Sequence, residues 1–126
     1  MGEKLRALIV EDSPAILENL QGLLEELELV EVVGTAAAQA EACAWMDSRT
    51  NGCDVAIIDM FLASGTGLRV LEHMQAYQRP PARVVLTNYA TAEMRSRCRA
   101  LGAEAVFDKS TEIEDLVDWL AQRVRH

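Results

Sequence analysis

The segment DVAIID at residues 54–59 places four consecutive apolar residues between two aspartates. Valine and isoleucine favour extended backbone. A short, continuous apolar run of this kind is typical of a strand that is covered on both faces of a parallel sheet. The segment therefore predicts a buried central strand, with Asp59 at its carboxyl end, which is the edge where α/β sheets carry their functional groups.

Four other segments share this short apolar character, and longer segments with helical periodicity separate them. The predicted strands are residues 5–10, 30–34, 54–59, 82–87 and 103–107. The predicted helices are residues 14–27, 36–46, 68–74, 92–101 and 113–124. Strict alternation of strand and helix predicts parallel strands joined by helical crossovers. The expected fold is therefore α/β, with one doubly wound five-stranded parallel sheet, (βα)5.

Five residues indicate where helices begin and end. Ser13 and Pro14 suit the N-cap and the first position of the first helix. Thr111 and Glu114 have the spacing of a capping box at the start of the last helix. Gly102 follows the fourth helix and predicts a C-terminal cap in the left-handed conformation.

Length and composition restrict the class of protein. A chain of 126 residues is close to the common size of one domain, so we expect no second module. The net charge of −8 argues against nucleic-acid binding by this domain. No apolar run approaches the roughly 18 residues of a membrane span, and the N-terminus lacks a signal pattern, so we expect a cytoplasmic location without membrane association. Three cysteines are expected to be buried apolar residues and not disulfide or zinc ligands: Cys43, Cys53 and Cys98.

Chemically complementary side chains follow the strands. Glu11 and Asp12 follow the first strand, Asp59 ends the third, Thr87 ends the fourth, and Lys109 follows the fifth. Crowded carboxylates favour a bound cation, and Mg²⁺ prefers oxygen ligands, which include backbone carbonyls. A carboxylate can then attack a phosphoryl group, while an ammonium and a hydroxyl stabilise the phosphoryl oxygens. Since Asp59 stands alone and the adjacent pair is suited to share an ion, Asp59 is the predicted nucleophile.

In the order and spacing of these five residues, the whole chain resembles the response-regulator receiver domains of bacterial two-component systems, chemotaxis receivers among them. That family has an acidic pair after the first strand, aspartate ending the third, threonine or serine ending the fourth, and lysine after the fifth. Its glycine-rich stretch after the acceptor is matched by SGTGL at residues 64–68. The resemblance implies that residues 1–126 form one receiver domain with a flavodoxin-like fold and strand order 2-1-3-4-5.

The resemblance also implies a signalling function in which the domain catalyses only its own phosphorylation and dephosphorylation. Asp59 would take a phosphoryl group from a phosphohistidine of a sensor histidine kinase or histidine phosphotransfer protein, with Thr87 and Lys109 as the other catalytic residues. The surface of the fourth helix, fifth strand and fifth helix would then signal to an output protein or effector domain. The implied Mg²⁺ ligands are three carboxylates and one backbone carbonyl: Glu11, Asp12, Asp59 and Phe61.

The chain departs from the family pattern near its last strand. Val106 stands where an aromatic residue that moves with the threonine is usual, and Tyr89 is a candidate to take over part of that role. Phe107 points to the opposite face of the strand and is expected in the core. Ser110 follows the lysine in place of the usual proline. Three arginines of the fourth helix are expected to form an exposed face: Arg95, Arg97 and Arg99.

Three alternative functions fit the sequence less well. A Mg²⁺-dependent phosphomonoester hydrolase needs a second carboxylate two residues after its nucleophile, where this chain has Phe61, and a substrate pocket that the short connections do not supply. A flavodoxin-like nucleotide-binding protein needs a glycine-rich phosphate loop after the first strand, where Glu11 and Asp12 would repel phosphate. A receiver-like module that binds partners without phosphorylation would not need all five site residues.

Overall fold

The computed structural model describes residues 4–49 and 52–124, which form a five-stranded parallel sheet in the order β2-β1-β3-β4-β5. The strands are β1 Leu5–Val10, β2 Val30–Ala36, β3 Val55–Ile58, β4 Ala82–Thr87 and β5 Ala105–Asp108. The helices are α1 Pro14–Glu26, α2 Gln39–Arg49, α3 Gly67–Gln75, α4 Ala92–Ala100 and α5 Ile113–Arg123. The predicted fold and strand order are confirmed. In this part of the chain, no helix has the length and apolar character needed to cross a membrane.

The two faces of the sheet bury separate apolar cores, because side chains alternate in direction along each strand. In β3, Ala56 and Ile58 pack into the core shared with α2, α3 and α4, whereas Val55 and Ile57 pack into the core shared with α1 and α5. All four side chains are almost fully buried. Burial on both faces explains why this strand is apolar throughout.

Two of the predicted helix ends are confirmed. The Ser13 hydroxyl accepts the backbone N–H of Ile16 at 3.4 Å, and Pro14 occupies the first turn of α1. Gly102 follows α4 with φ of 99° and donates its N–H to the carbonyl of Arg99 at 3.0 Å. A Cβ atom at Gly102 would also lie 2.5 Å from Nη1 of Arg83, so both the backbone conformation and the available space favour glycine.

The predicted capping box at the start of α5 is wrong. The helix begins at Ile113 and its N-cap is Glu112, whose side chain makes no capping hydrogen bond within the described part of the chain. The Glu112 carboxylate instead accepts the backbone N–H of Asp108 at 2.9 Å and binds Arg95 at 2.7 Å. These partners turn Glu112 toward the end of β5.

The boundary between β2 and α2 also differs from the prediction. The alanines at residues 36–38 favour a helix by composition, but β2 continues to Ala36 and α2 begins only at Gln39. Ala36 pairs with Val10, and its carbonyl accepts the backbone N–H of Glu11 at 2.9 Å. Pairing with β1 therefore overrides the local propensity and fixes the backbone of Glu11 at the sheet edge. The remaining predicted boundaries differ from the structure by at most three residues.

The cysteines give a first testable prediction. Cys53 and Cys98 are buried as expected, whereas Cys43 is only half-buried. Burial raises the pKa of Cys53 to about 11 and also raises the pKa of the other two thiols. Since the thiolate is the reactive form, a disulfide reagent at mildly alkaline pH is expected to modify Cys43 first, and the others only after unfolding in urea. Equal rates at all three thiols in the folded protein would contradict this expectation.

Candidate functional site

The five residues predicted from the strand ends lie at one edge of the sheet. Glu11 and Asp12 follow β1, Asp59 directly follows β3, Thr87 is the last residue of β4, and Lys109 directly follows β5. Parallel strands bring their carboxyl ends to the same edge. The structure therefore brings together groups that are far apart in the sequence.

The acidic side chains form a compact cluster. Carboxylate oxygens of Glu11, Asp12 and Asp59 lie within 4.8 Å of one another. Glu11 is 4% exposed and Asp59 is 7% exposed, whereas Asp12 is open to solvent. Backbone donors orient both buried carboxylates: Ser13 N–H lies 3.1 Å from Oε2 of Glu11, and Met60 N–H lies 2.7 Å from Oδ1 of Asp59.

The Lys109 ammonium bridges the two buried carboxylates. Its Nζ lies 2.5 Å from Oε1 of Glu11 and 2.8 Å from Oδ2 of Asp59. Burial alone would lower the pKa of Lys109, but its hydrogen bonds to the two carboxylates, together with their charges, outweigh burial and raise the pKa. Burial also raises the pKa of Glu11, and the hydrogen bond from Lys109 offsets this only in part. Lys109 is therefore held as a cation against Asp59.

The loop that carries Lys109 is fixed by hydrogen bonds. Lys109 donates its backbone N–H to the carbonyl of Thr87 at 3.0 Å. The Asp108 carboxylate accepts the backbone N–H of Ser110 at 2.8 Å and the Ser110 hydroxyl at 2.5 Å. These bonds lower the pKa of Asp108. Ser110, which occupies the position of the usual proline, therefore contributes to a hydrogen-bonded turn.

Thr87 is fully buried, and its hydroxyl oxygen accepts the backbone N–H of Tyr89 at 3.2 Å. The Tyr89 side chain is exposed and packs edge-on against the exposed ring of Phe61, with ring centroids 4.7 Å apart and an interplanar angle of 66°. This pair joins the loop after β3 to the loop after β4. Val106 is buried on one face of β5, and Phe107 packs into the core on the other face, as predicted. The proposed switch role of Tyr89 stays a prediction.

The glycine-rich segment supports the backbone of Asp59. Thr66 caps α3 by accepting the backbone N–H of Arg69 at 3.3 Å, and Gly67 donates its N–H to the carbonyl of Met60 at 2.8 Å. A Cβ atom at Gly67 would lie 2.2 Å from the carbonyl oxygen of Asp59. Only glycine allows α3 to begin this close to the predicted acceptor.

The role of Arg95 was not apparent from the sequence. Arg97 and Arg99 are exposed as expected, but Arg95 is only partly exposed, so that prediction is wrong for Arg95. Its guanidinium donates to three acceptors in separate segments: the carbonyls of Ala90 before α4 and Val106 in β5, at 2.9 and 2.7 Å, and the carboxylate of Glu112 at the N-cap of α5, at 2.7 Å. The charge pattern at residues 95, 97 and 99 contains no signal that separates the first arginine from the other two.

The donor set fits a hard divalent cation. Three clustered carboxylates opposed by one ammonium leave an excess of negative charge. Mg²⁺ prefers oxygen ligands and retains several waters, so it needs few protein ligands. Glu11, Asp12 and Asp59 could hold such an ion. Phe61 lies two residues after Asp59, in the loop that follows β3, and its backbone carbonyl stays a predicted fourth ligand.

Comparison with known sequences gives a consistent family. The sequence model of the response regulator receiver domain matches residues 7–121. The acid tolerance regulatory protein ActR of Rhizobium meliloti (strain 1021) is 28% identical over 98% of this chain and 61% of its own length. The protein-glutamate methylesterase/protein-glutamine glutaminase 4 of Geobacter metallireducens is 35% identical over 81% of this chain and 29% of its own length. The chain thus spans less than two thirds of either relative.

Solved structures share the fold. The CheX-CheY-BeF3-Mg+2 complex from Borrelia burgdorferi has a TM-score of 0.85 at 17% identity and covers 94% of this chain and 88% of that chain. A two-component response regulator of the LuxR family from Aurantimonas sp. SI85-9A1 has a TM-score of 0.85 at 23% identity, and covers 97% and 89% of the two chains. At these identities the likeness shows the fold alone. With the sequence match over residues 7–121, however, the chain belongs to the response regulator receiver domains of two-component systems.

Proposed function

We propose that this receiver domain, taken as residues 1–126, accepts a phosphoryl group on Asp59 in a Mg²⁺-dependent reaction. The observation that carries the proposal is the position of the Lys109 ammonium, 2.8 Å from Asp59 within a cluster of three carboxylates. Acidic clusters alone are common on protein surfaces. A buried carboxylate that has both a cluster of possible metal ligands and a fixed ammonium beside it is suited to accept a phosphoryl group.

In the proposed transfer, a carboxylate oxygen of Asp59 attacks the phosphorus of a phosphohistidine. An O–P bond forms as the P–N bond breaks, and the electron pair of the P–N bond returns to the imidazole nitrogen of the donor. The product is an acyl phosphate on Asp59. Hydrolysis then takes place when water attacks the phosphorus, which restores the carboxylate and releases inorganic phosphate. Both reactions are self-catalysed by the domain in this proposal.

Two side chains stabilise the charge on the transferred group. The Lys109 ammonium already contacts Oδ2 of Asp59, so it lies beside the position that the phosphoryl oxygens would occupy. The Thr87 hydroxyl accepts a backbone N–H through its oxygen, which leaves its own proton for a phosphoryl oxygen. Preorganised donors of this kind are worth most in a site with little water.

Glu11, Asp12 and Asp59 would hold the Mg²⁺ ion, with the backbone carbonyl of Phe61 as the fourth protein ligand. When bound, the ion supplies positive charge that offsets the charge of the phosphoryl oxygens. Backbone N–H donors already fix the orientation of two of these carboxylates, those of Glu11 and Asp59. This preorganisation supports the ligand assignment.

The proposed phosphodonor is a sensor histidine kinase or a histidine phosphotransfer protein. A groove of about 310 Å³ between α1 and α5 adjoins Lys109, and its lining includes the partly exposed side chains of Ile16 and Leu23. Exposed apolar surface beside a site suits protein docking. The face formed by α4, β5 and α5 would then signal to an output protein or effector domain. A cytoplasmic location, with no direct nucleic-acid contact by this acidic domain, completes the proposal.

Intact mass spectrometry tests the acceptor. The protein incubated with acetyl phosphate and Mg²⁺ is expected to gain one phosphoryl group, and to gain none when a chelator removes the ion. Asp59→Asn should prevent the gain. Asp54→Asn is the matched control, because Asp54 lies at the opposite end of β3 and pairs with Arg6. Absence of any gain in the unmodified protein would contradict the proposal, and steady turnover of a chromogenic phosphate ester would favour a hydrolase.

A further inference from the structure

Arg95 of α4 and Glu112, the N-cap of α5, form an ion pair beside the end of β5. Nη2 of Arg95 lies 2.7 Å from Oε1 of Glu112, and the two side chains are 28% and 29% exposed. The same guanidinium donates to the carbonyl of Ala90, in the loop before α4, and to the carbonyl of Val106 in β5. The three donor nitrogens of the planar guanidinium suit this arrangement, whereas lysine lacks the fixed fork.

Glu112 connects this pair to the loop that carries Lys109. Its Oε1 atom accepts the backbone N–H of Asp108 at 2.9 Å, and its own N–H donates to the Asp108 carbonyl at 2.9 Å. Asp108 directly precedes Lys109. The hydrogen bond from Arg95 is the main reason that the pKa of Glu112 is lowered, so Glu112 accepts both bonds as a carboxylate.

Arg95 also reaches the loop that follows Thr87. Ala90, which accepts from Nε of Arg95, lies three residues after Thr87. The Thr87 carbonyl in turn accepts the backbone N–H of Lys109 at 3.0 Å. Arg95 and Glu112 therefore fix the backbone on both sides of the contact between these two loops, although in the described structure neither side chain has a hydrogen bond or ion pair with Asp59.

We propose that Arg95 and Glu112 are positioning residues that hold the Lys109 ammonium against Asp59. The inference rests on the proposed function, because the reaction it affects is the transfer to Asp59. The pair acts through the backbone of residues 106–109 and not through direct contact with the phosphoryl group. Displacements of about 1 Å in a catalytic group can cost about a hundredfold in rate. The rate of transfer to Asp59 should therefore depend strongly on the position of the loop that carries Lys109.

Acetyl phosphate kinetics with four variants test the proposal. Arg95→Ala and Glu112→Ala are each expected to slow phosphorylation by about tenfold or more. Arg97→Ala and Glu114→Ala are matched controls at exposed positions two residues away, on α4 and in the first turn of α5, and they should react like the unmodified protein. Equal rates for Arg95→Ala and Arg97→Ala would overturn the proposal.

Conservative variants separate positioning from general stability. Glu112→Gln keeps an oxygen that can accept the Asp108 N–H, so it should recover much of the rate lost in Glu112→Ala. Arg95→Lys should recover little, since the donors of an ammonium share one nitrogen, whereas Arg95 reaches its three acceptors through three separate nitrogens. If Glu112→Gln and Glu112→Ala react equally slowly, the positioning role is contradicted. This comparison stands even if Arg95→Ala fails to fold.

Amide hydrogen exchange distinguishes failure of this inference from failure of the proposed function. Arg95→Ala is expected to speed exchange at the amides of Asp108 and Lys109, while Arg97→Ala is not. Unchanged exchange at both amides would overturn the positioning role whether or not the protein is phosphorylated. Phosphorylation of the unmodified protein, measured in parallel, reports separately on the acceptor function.

Discussion

Replacement of Lys109 by alanine is expected to slow phosphoryl transfer to Asp59 by about 10²–10³-fold, the usual cost of removing one preorganised donor from a developing charge. The physical reason is the position of Nζ, 2.8 Å from Oδ2 of Asp59, where both side chains are only 9% exposed. The same change removes the cation that the buried carboxylates of Glu11 and Asp59 share. We therefore also expect the free energy of unfolding, measured with urea and a chelator, to fall by about 2 kcal/mol or more.

Lys4→Ala is the matched control for Lys109→Ala, because these two are the only lysines in the sequence. Lys4 is exposed at the start of the described chain and lies before β1, at the opposite edge of the sheet from the site. The Lys4→Ala variant should be phosphorylated at the rate of the unmodified protein. A phosphorylation rate in Lys109→Ala within a factor of about two of the control would contradict the role assigned to the ammonium.

Gly67→Ala is expected to destabilise the protein by about 3 kcal/mol, the upper range for steric overpacking. The added Cβ atom would lie 2.2 Å from the carbonyl oxygen of Asp59 and 2.6 Å from Cε of Met60. The methionine side chain can move, but the carbonyl belongs to the backbone of Asp59, the proposed acceptor. The free energy of unfolding in urea measures the effect, and phosphorylation should also slow because Asp59 is displaced.

Gly22→Ala tests the same substitution where space is available. Gly22 lies on the exposed side of α1, and a Cβ atom there would meet nothing within 4 Å. Alanine should stabilise this helix by about 0.5–1 kcal/mol. A gain in stability for both glycine variants would contradict the close approach of Gly67 to the carbonyl of Asp59.

The sheet and its site edge could be predicted because both depend on local patterns. The apolar run at residues 55–58 requires burial on both faces, and a parallel sheet then places Asp59, Thr87 and Lys109 at one edge. The glycine at residue 67 was identified as part of a family motif. Its close contact with the backbone of Asp59 became visible only in three dimensions.

The errors arose where distant partners override local sequence preferences. Thr111 and Glu114 have capping-box spacing, but Glu112 is drawn instead to Arg95 and to the backbone of Asp108. Composition around Ala36 favours a helix, yet pairing with β1 extends the strand. Such contacts join residues that are far apart in the sequence or on separate elements, so neither periodicity nor propensity reports them.

The aromatic pair at the site edge is a further consequence of three-dimensional proximity. Phe61 and Tyr89 each follow a predicted site residue by two positions, and their rings meet across the two loops. The Thr87 hydroxyl accepts the Tyr89 N–H, so a movement of Thr87 toward a phosphoryl group would also disturb this ring pair. Position 106 has valine where an aromatic residue is usual in the family. In the described structure, Tyr89 is therefore the aromatic residue linked most directly to Thr87.

Chemical mapping of the acceptor tests the central claim most directly. An acyl phosphate is reduced by borohydride to the corresponding alcohol, so a phosphorylated aspartate becomes homoserine and peptide sequencing by mass spectrometry identifies its position. After incubation with acetyl phosphate and Mg²⁺, we predict homoserine at residue 59 and at no other aspartate. Homoserine at Asp12 or elsewhere with none at residue 59, or no conversion at all, would contradict the assignment of Asp59 as the phosphoacceptor.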